Sequence, residues 1–597
     1  MNGIAMERIM RGVFRLRIGE PEAITPMKFK EFPALEWGSD SPAPFLPEEV
    51  SYEVTHRGLS VSLPLNEQVF GLGLQLRGFN HTRMKRSLRN QADPPSANGE
   101  SHAPVPFYVT TGSYGVLVDT ARYATFYCGQ VKRAGESVGV GAETYLNWMV
   151  TEAQYRDYVE RDRTRMFIEI PLVKGVDIYL FAGTSMLEAV EKYNMFSGGG
   201  VEPPDWGLRM WYRLFVRSTA EEWRGYADKF STEGWPIGVL GLEPGWQTHT
   251  YACTYVWDEA RLGDWEGALQ YMRKKGFRVN LWEHAFVHPD APIYEEIAPY
   301  CGNYETWGGL VPDLSLPEAR KIFAGQQKKL MADGFKMDEC DNSDYNGCWS
   351  FPDSAKFPSG LDGEQMHQLM GTFYAQTMNQ VCPGSYQNCR SAYAFAAPYP
   401  FVLYSDLYGH EEFIRGVVNA GFSGLLWAPE VRHANSPKDL IRRMQTALFS
   451  PQMLINAWYL KNPPWEQIEM EKNLRGEPME NAAEVTRIAH ELADKREELL
   501  PYLKDCFARY HRCGTPVFRA LVLDWQDDRN TWNIDDEYMV GDRYLFAPLT
   551  EKSDCRKVYL PEGTWERNGQ RLKPGWHEMT CKINEYLLFE RISEAQD

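Results

Sequence analysis

The fold is decided by the stretch that runs from Arg278-Val-Asn-Leu-Trp-Glu283 to Phe335-Lys-Met-Asp338-Glu-Cys340. Both ends of this stretch are short, mostly apolar runs typical of buried strands. Between them, residues 315–333 have helical periodicity, and Ser315 with Glu318 forms a predicted capping box at the helix start. Strand, helix and strand in this order predict two parallel strands of one sheet joined by a helix.

The same alternation extends to both sides of this stretch. Towards the N-terminus the sequence predicts a capping box at Ser218 and Glu221, a helix that stops near Gly234, a strand at 237–242 and a helix at 264–275. Towards the C-terminus it predicts strands at 385–391, 401–406 and 424–428, and helices at 361–381, 410–420 and 437–449. Alternation over about 300 residues predicts an α/β fold with a parallel sheet, and this length fits a closed (β/α)8 TIM barrel.

Both flanks of the barrel read as β-structure. Residues 1–200 contain short predicted strands with turns between them, for example 50–56, 59–63, 68–74 and 107–118, the last broken at Gly112. After a long predicted helix at 481–511 the pattern returns to strands up to the end. We therefore predict an N-terminal β-sandwich over 1–200, the barrel over 201–514 and a small C-terminal β-sandwich over 515–597.

Composition and charge exclude several classes of partner. The chain has 63 Lys and Arg against 81 Asp and Glu, a net charge of −18, which argues against nucleic acid as a partner. Glu7, Arg8 and Arg11 interrupt any signal-peptide core, and no run is long enough to span a membrane. The 11 cysteines form no C-x-x-C pair, so we expect free thiols in a cytoplasmic protein. Assembly into a homo-oligomer is left open.

Acidic residues stand at the ends of the predicted strands. Glu243, Asp338, Asp406 and Glu430 each end one, and Glu283 lies close behind them. A single such carboxylate is more often a helix cap or an ion-pair partner. Four on one rim favour catalysis, because clustered carboxylates repel each other and catalytic groups of parallel barrels project from this end. Hydrolysis of a glycoside needs two carboxyl groups, one as nucleophile and one as acid.

The residues that follow Asp338 also allow a metal-binding interpretation. Asn342, Asp344, Asn346 and Gly347 occupy positions one, three, five and six of a calcium loop. Position twelve would be Asp353 where glutamate is expected, and the flanking segments are not predicted as helices. The sequence therefore predicts no metal site and no cofactor, with Asp341 and Asp344 satisfied by ion pairs and hydrogen bonds.

Several short motifs, taken in order, resemble those of glycoside hydrolase family 31. They are Val105-Pro-Phe-Tyr, Tyr114-Gly-Val-Leu-Val, Pro203-Pro-Asp-Trp206-Gly, Phe335-Lys-Met-Asp338, Arg390-Ser391 placed 16 residues before Asp406, Gly421-Phe-Ser-Gly424, the stretch from Asp535-Asp-Glu-Tyr538 to Ala547-Pro548, and Val558-Tyr-Leu-Pro561. The resemblance runs through all three predicted domains, and it implies an exo-acting, retaining α-glycosidase that acts on a terminal non-reducing sugar of an oligosaccharide or glycoside.

The resemblance also implies roles for single residues. Asp338 would be the nucleophile, ionised at the start of the reaction, and Asp406 the general acid/base, protonated at the start. Lys336 shares the strand face of Asp338 and is expected to keep it charged. Arg390 resembles the arginine of the family that binds sugar hydroxyls, although an ion pair with a rim carboxylate is the alternative. Trp246 and Trp282 are further predicted substrate contacts.

Departures from the motifs of the family's α-glucosidases affect the predicted sugar pocket. Glu243 stands where those enzymes carry aspartate at the end of the first barrel strand, and Glu430 lies in a segment that replaces their D-I-G-G. Asn456 stands where a sugar-binding histidine is expected, and Leu403-Tyr-Ser-Asp406 replaces W-x-G-D. Because a site built around particular hydroxyls rejects epimers, galactose and xylose are alternatives to glucose. A transglycosylase of the same chemistry is a further alternative.

Two functions of other classes compete with a glycosidase. A catalytically inactive sugar-binding relative would keep the fold, but retention of both Asp338 and Asp406 speaks against it. A metal-dependent hydrolase would use the acidic cluster from Asp338 to Asp344, and chelation would expose it. Motifs of other chemistries, such as G-x-S-x-G, a Walker loop and H-E-x-x-H, do not occur in the sequence.

Overall fold

A computed structural model of the chain describes residues 3–92, 94, 96–130, 165–344, 347–406 and 408–592. Asn346, which belongs to the calcium-loop interpretation, lies outside these residues, as do residues 131–164 of the predicted N-terminal domain. Within the described part of the chain, no helix has both the length and the apolar character needed to cross a membrane.

The middle of the chain forms the predicted parallel barrel. Its main sheet contains seven parallel strands, which are in spatial order Met453–Asn456, Met210–Arg213, Ile237–Leu242, Arg278–His284, Gly334–Asp338, Gln387–Cys389 and Phe401–Leu403. Two isolated parallel bridges, Leu403 to Trp427 and Val431 to Ile455, fill the gap between the first and last strands of this sheet. The chain between those bridges therefore occupies the seventh of eight positions, and the barrel is closed.

The seventh position is not the regular strand at 424–428 that the sequence predicts. A 3-10 turn at Gly421–Ser423 and left-handed backbone at Gly424, with φ of 68°, occupy the start of that segment. Pro429 then lies between the two bridges and has no N–H to donate to a neighbouring strand. The residues on either side of it still bond to both neighbours, through Ala428 N to Leu403 O at 3.1 Å and Val431 N to Leu454 O at 2.9 Å.

The strand that carries Glu243 is the second of the barrel, so its prediction as the first strand is wrong. Met210–Arg213 precedes it and pairs in parallel with both Ile237–Leu242 and Met453–Asn456. The sequence Met-Trp-Tyr-Arg is too short to show a period, which is why the pattern did not reveal this strand. With eight positions counted, Asp338 ends the fourth strand, and Asp406 follows the sixth by three residues.

Helices cover the outside of the barrel. The long ones are Ala220–Thr232, Trp265–Lys274, Pro317–Gln327, Gly363–Val381, His410–Ala420, Pro437–Leu448 and Ala482–Cys513. Shorter helices lie at Asp205–Leu208, Glu259–Leu262, Tyr294–Ile297 and Met470–Leu474. An antiparallel hairpin, Cys301–Thr306 with Gly309–Pro312, is inserted after the third strand, at the end of the barrel where Asp338 lies.

Both predicted capping boxes are wrong in detail. The first lies one residue later, where Glu222 N donates to Thr219 Oγ1 at 3.4 Å and Thr219 N donates to Glu222 Oε2 at 2.9 Å. The second does not form, because Pro317 begins the helix and the Ser315 hydroxyl donates to Asp313 Oδ1 at 2.5 Å. The outcome depends on which group the hydroxyl reaches. That of Thr219 accepts from a backbone N–H of its helix, whereas that of Ser315 bonds to Asp313.

The N-terminal flank is a sandwich of two antiparallel sheets. One contains, in spatial order, Ile4–Met10, Val13–Glu20, Lys174–Ala182, Tyr114–Val118, Phe107–Thr110 and Val69–Gly71. The other contains Ser51–Thr55, Gly58–Pro64, Arg165–Pro171, Thr125–Gln130 and Lys85–Ser87. Apolar side chains that alternate along strands of both sheets, such as Leu16, Val61, Val116 and Ile168, form one buried core between them. Helix Met186–Ser197 links this sandwich to the barrel.

The C-terminal flank is also a two-sheet β-structure. One sheet contains, in spatial order, Phe518–Ala520, Tyr538–Val540, Tyr544–Phe546, Leu588–Ile592, Thr564–Arg567 and Gln570–Leu572. The other pairs Cys555–Leu560 with Gly575–Thr580, and a short helix lies at Leu521–Asp524. Its core, which includes Leu545, Val558, Trp565 and Phe589, is separate from that of the barrel. The predicted fold class, a TIM barrel flanked by two β-structures, is confirmed.

Candidate active site

Asp338 and Asp406 meet at one arginine at the C-terminal end of the barrel. Arg390 Nη1 donates to Asp406 Oδ2 at 2.8 Å, and Arg390 Nε lies 3.6 Å from Asp338 Oδ1. Each aspartate is positioned by its own strand, the fourth and the sixth, whose C-terminal ends lie on the same side of the sheet. The structure therefore brings together the two carboxylates that the sequence singles out.

Asp338 is almost fully buried and is held from two sides. Trp282 Nε1 donates to its Oδ2 at 2.6 Å, and the backbone N–H of Glu339 donates to its Oδ1 at 2.9 Å. The left-handed backbone at Glu339, with φ of 56°, is a rare conformation for a residue other than glycine. Burial raises the pKa of the Asp338 carboxyl above its usual value, and the charge of Arg390 opposes that rise only in part.

Asp406 has the opposite environment. Its side chain is 34% exposed, and both of its oxygens contact guanidinium groups, Oδ2 that of Arg390 and Oδ1 that of Arg432. Burial alone would raise the pKa of Asp406, but the charges of these two arginines hold it well below its usual range. The shifts are opposite to those expected from the predicted roles, because two guanidinium groups contact Asp406 whereas burial dominates at Asp338.

A second charged layer lies deeper in the barrel, and we call it the floor network. It consists of Arg213, Glu243, Lys336, Glu430 and Asn456, all at most 6% exposed. Lys336 Nζ lies 2.7 Å from Glu430 Oε1 and 3.3 Å from Glu243 Oε1, and Arg213 Nε also contacts Glu243. Asn456 Nδ2 donates to Glu430 Oε2 at 2.7 Å and to Glu243 Oε1 at 3.2 Å. Four predicted substrate-binding residues, Glu243, Lys336, Glu430 and Asn456, therefore bind one another.

Lys336 acts on Asp338 through its charge and not through an ion pair. The two residues share a strand face, but the ammonium group reaches across to Glu430 and Glu243. Burial opposes ionisation of Glu243, whereas the charges of Arg213, Lys336 and Arg432 hold its pKa below the usual value. The positive charge of Lys336 mainly neutralises the floor network and acts on Asp338 only at longer range.

The two predicted tryptophans occupy different positions. Trp282 touches Asp338 directly, and its ring lies 5.5 Å from that of Tyr251. Trp246 is only 1% exposed, its Nε1 donates to Trp282 O at 2.7 Å, and its ring packs against Trp257 at 4.9 Å. Because its one hydrogen-bonding group is already used, Trp246 supports Trp282 from behind.

Glu283 points away from this site. Side chains alternate along Arg278–His284, so that Asn280 and Trp282 face the inside of the barrel and Glu283 faces the helices. There it accepts a hydrogen bond from the Tyr374 hydroxyl at 2.8 Å. Burial raises the pKa of the Glu283 carboxyl to about 8, which keeps it protonated at neutral pH. Its position just behind Asp338 in the sequence pattern does not place it beside Asp338 in space.

The segment after Asp338 is braced by the N-terminal domain. His102 Nδ1 lies 2.5 Å from Asp341 Oδ2, the same oxygen that accepts from Arg390 Nε at 2.9 Å. Asp344 pairs with Arg89 at 2.8 Å and accepts a hydrogen bond from Gln91. Among the described residues no group of three or more His, Cys, Asp or Glu is arranged to hold a metal ion. Asp341 and Asp344 are therefore engaged with side chains of the protein, as the sequence predicts.

Two sequence models of one enzyme family match this chain. That of the glycosyl hydrolases family 31 TIM-barrel domain matches residues 201–505, and that of the glycosyl hydrolase family 31 C-terminal domain matches residues 514–591. The chain belongs to glycosyl hydrolase family 31. The family predicted from the motifs is confirmed, and the barrel strands and the residues at their ends described above lie within the first matched range.

Relatives and neighbours of this family 31 protein carry related names. It is 21% identical to an α-xylosidase of Emericella nidulans, over 90% of this chain and 66% of that protein, and 25% identical to α-glucosidase 2 of Bacillus thermoamyloliquefaciens, over 70% and 56%. The chain thus spans about two thirds or less of the length of these curated relatives. A family 31 α-xylosidase from a soil metagenome, solved with xylose, superposes with a TM-score of 0.76 at 17% identity and covers 100% of this chain and 97% of that one.

Several residues of the family 31 site were not predicted from the sequence. Arg213 ends the strand that was too short to recognise, and Arg432 follows Glu430 by two residues. His102 comes from a different domain. A charged residue at each strand end was the available signal for the two arginines, but a lone arginine is more often a surface ion-pair partner. Nothing local marks His102.

Proposed function

We propose that this family 31 protein is a retaining, exo-acting α-glycosidase with Asp338 as nucleophile and Asp406 as general acid/base. The observation that carries the proposal is the pair of strand-end carboxylates that share the guanidinium of Arg390 at the C-terminal end of a barrel of this family. Double displacement requires one carboxylate to attack and one carboxyl group to protonate, with both reaching the same bond.

In the first step an oxygen of Asp338 forms a bond to the anomeric carbon of the terminal sugar. The bond from that carbon to the glycosidic oxygen breaks, and Asp406 transfers its proton to the departing oxygen. In the second step Asp406 removes a proton from water, the water oxygen bonds to the anomeric carbon, and the bond to Asp338 breaks. Two inversions leave the sugar with its α configuration, and an acceptor hydroxyl in place of water gives transglycosylation.

The surroundings of Asp338 suit this role. Hydrogen bonds from Trp282 and from the Glu339 amide fix the plane of the carboxylate and reach one oxygen each. They stabilise the charge that returns to the carboxylate when the covalent intermediate breaks down. The same two donors leave the remaining lone pairs of Asp338 for the anomeric carbon.

The residues of the predicted sugar pocket do not require the substrate to be a glucoside. Glu243, Glu430 and Asn456 stand where the glucose-reading residues of the family are expected, and here they are joined to one another through Lys336. Relatives named α-xylosidase and α-glucosidase are both found, and a xylose complex is known for one structural neighbour. We propose an α-glucosidase-like reaction on a terminal α-linked sugar, with xylose and galactose as alternatives to glucose.

The stereochemistry of azide rescue tests the two roles. Asp406→Ala still forms the covalent intermediate from activated aryl α-glycosides, and azide then attacks it to give the α-glycosyl azide by two inversions. Asp338→Gly opens the face on which the nucleophile stood, so azide gives the β-glycosyl azide by one inversion. Proton NMR of the anomeric signal reads both products, and loss of activity alone could not separate the roles.

The outcomes divide the alternatives. Swapped configurations would reverse the assignment of nucleophile and acid, and identical products from both variants would contradict the two-aspartate mechanism. A protein that binds sugars but turns over no aryl α-glycoside, with or without azide, would be the inactive sugar-binding relative. Arg415 lies on the outer helix His410–Ala420 and pairs with Asp535. A variant with this arginine replaced is the control: it keeps both aspartates and should form neither glycosyl azide.

A further inference from the structure

Both side-chain oxygens of Asp406, the proposed general acid, contact arginines. Arg390 Nη1 donates to Asp406 Oδ2 at 2.8 Å, and Arg432 Nη1 contacts Asp406 Oδ1. A general acid must carry its proton on one of these oxygens and present it to the leaving group. Both guanidinium groups disfavour the protonated form of Asp406, so withdrawal of one of them favours it.

Arg390 is anchored by more than Asp406. Its Nε donates to Asp341 Oδ2 at 2.9 Å and lies 3.6 Å from Asp338, and its side chain is only 5% exposed. Asp341 is in turn held by His102 of the N-terminal domain at 2.5 Å. Withdrawal of Arg390 would leave the buried Asp341 without its cation, which is costly.

Arg432 is held more loosely. Its guanidinium contacts Asp406 and lies 5.5 Å from the ring of Trp458, and its Nε is buried with no hydrogen-bond partner among the described residues. Its backbone is fixed, because the Tyr459 hydroxyl donates to Arg432 O at 2.9 Å. Movement of its side chain would break fewer hydrogen bonds than movement of the Arg390 side chain.

Two more buried polar atoms near Asp406 lack partners. Trp458 Nε1 and the Tyr404 hydroxyl have no hydrogen-bond partner in the described part of the chain. Tyr404 precedes Asp406 by two residues, and Trp458 lies under the Arg432 guanidinium. Buried polar atoms are normally paired, so three unpaired ones around a single carboxylate indicate the place of a ligand with hydroxyl groups.

We propose that Arg432 is a positioning residue that holds Asp406 as an ion pair and is drawn onto the hydroxyls of the sugar when it binds, which frees Asp406 to take up its proton. This inference rests on the proposed function, since it assigns the sugar as the group that displaces Arg432. One proton enters from solvent as the ion pair opens. Asp406 passes it to the glycosidic oxygen and recovers one from water in the second step.

Other titratable and charged groups face Asp406 and must be separated from Arg432 in any test. The cations are Arg390 and Lys336. The acidic groups are Asp338, Glu339, Tyr251 and Tyr404. His433 follows Arg432 and feels the charge of Asp406, and burial lowers its pKa below the usual value.

The protonation of Asp406 is measured on the ligand-free protein by infrared spectroscopy. Its carboxylic acid band is isolated as the difference between each protein and its Asp406→Asn counterpart. Arg432→Gln should raise the pH midpoint of this band by about 1–3 units, the effect expected for loss of one adjacent opposite charge. Arg432→Lys keeps the charge and should stay near wild type, whereas Arg415→Gln should leave the midpoint unchanged.

Kinetics supply the second readout. With a methyl α-glycoside, which needs the acid, the basic limb of kcat/KM should move to higher pH in Arg432→Gln. The α-glycosyl fluoride of the same sugar does not need the acid, so the basic limb of its kcat/KM profile should not move in Arg432→Gln. KM should rise about 10-fold or more in Arg432→Gln, because the charged donor to the sugar is lost.

The role of Arg432 and the proposed glycosidase function can be contradicted separately. An Asp406 midpoint that is equal in wild type and Arg432→Gln would overturn the role of Arg432, even if the protein hydrolyses glycosides as proposed. A shifted midpoint in a protein that hydrolyses no α-glycoside would support the ion-pair control of Asp406 and contradict the proposed function. A limb that shifts equally for both substrates would also count against Arg432, because its effect would not pass through the acid.

Discussion

The floor network and the layer above it are built from the same kinds of residue but differ in how completely they are satisfied. In the floor network each carboxylate contacts a cation and the Asn456 amide, and Arg213 and Glu430 are fully buried. In the layer above, which consists of Asp338, Arg390, Asp406 and Arg432 and which we call the rim network, the Asp406 side chain is 34% exposed and Arg432 Nε has no hydrogen-bond partner among the residues that the structure describes.

This difference distinguishes charged residues that stabilise the fold from charged residues that we propose take part in the reaction. A buried ion pair whose members all have partners keeps its shape, and breaking it leaves an unpaired charge at high cost. A network with unpaired polar atoms can exchange protein contacts for ligand contacts at little cost. We therefore expect changes in the floor network to affect folding and changes in the rim network to affect rate.

The largest expected effect is on the rate, from the rim. Asp406→Ala should lower kcat/KM for glycosides with poor leaving groups by about 10²–10⁴-fold, and for activated aryl glycosides much less. The thermal unfolding midpoint should change little, because this carboxylate is partly exposed. Rate constants across a series of leaving groups, with calorimetry on the same samples, would test this. An equal loss for all leaving groups would contradict the assignment of Asp406 as the acid.

The next largest effect is on stability, from the floor. Lys336→Met leaves Glu243 and Glu430 short of a cation and should lower the free energy of unfolding by about 3–5 kcal/mol. Combination with Glu430→Gln should restore part of the loss. The control is Lys504→Met, which breaks an exposed pair with Asp205 and should cost only about 0–1 kcal/mol. Urea unfolding that shows equal losses for Lys336→Met and Lys504→Met would remove the distinction between the networks.

A smaller effect is expected on the choice of sugar. If the joined carboxylates of the floor network shape the pocket, aryl α-xylosides or α-galactosides should have kcat/KM values at least about 10-fold above that of the α-glucoside. The screen uses one aryl group and changes only the sugar, including an amino sugar, so that leaving-group effects cancel. Clear preference for the glucoside would show that Glu243, Glu430 and Asn456 do not shift specificity.

The last prediction is that removal of divalent cations has no effect on activity. Asp341 and Asp344 are paired with His102, Arg390 and Arg89, so removal of divalent cations should not alter activity. Dialysis against EDTA, followed by assay with and without added calcium, measures this. Loss of activity that calcium restores would mean that the acids after Asp338 hold a metal in the working enzyme.

Much of the fold could be predicted from the sequence, because it depends on the local pattern of apolar and polar residues. The helix at His410–Ala420 begins and ends where periodicity predicts, and the fourth strand ends at Asp338 as the apolar run implies. The first strand was missed because four residues show no period, and the seventh is reduced to two bridges on either side of Pro429. Such short elements form only because neighbouring strands supply their hydrogen bonds.

Within the site, position along a strand predicted more than chemical partnership did. Alternation correctly places Lys336 and Asp338 on one face, but it says nothing of the Glu430 and Glu243 carboxylates that Lys336 reaches on other strands. Glu283 looked equivalent to its neighbours in the sequence, yet one residue of offset turned it out of the barrel towards Tyr374. Trp246 likewise became a support for Trp282.

The sequence by itself determined the family and the barrel with its two flanking β-structures, and it singled out Asp338 and Asp406 as candidate catalytic residues, because these follow from local periodicity and short motifs. Only the tertiary structure decided which charges meet. It placed Arg432 on Asp406, His102 on Asp341 and Lys336 between two glutamates, and it lowered the pKa of Asp406 while raising that of Asp338. Charge interactions depend on distance and burial, and both are set by residues far apart in the chain.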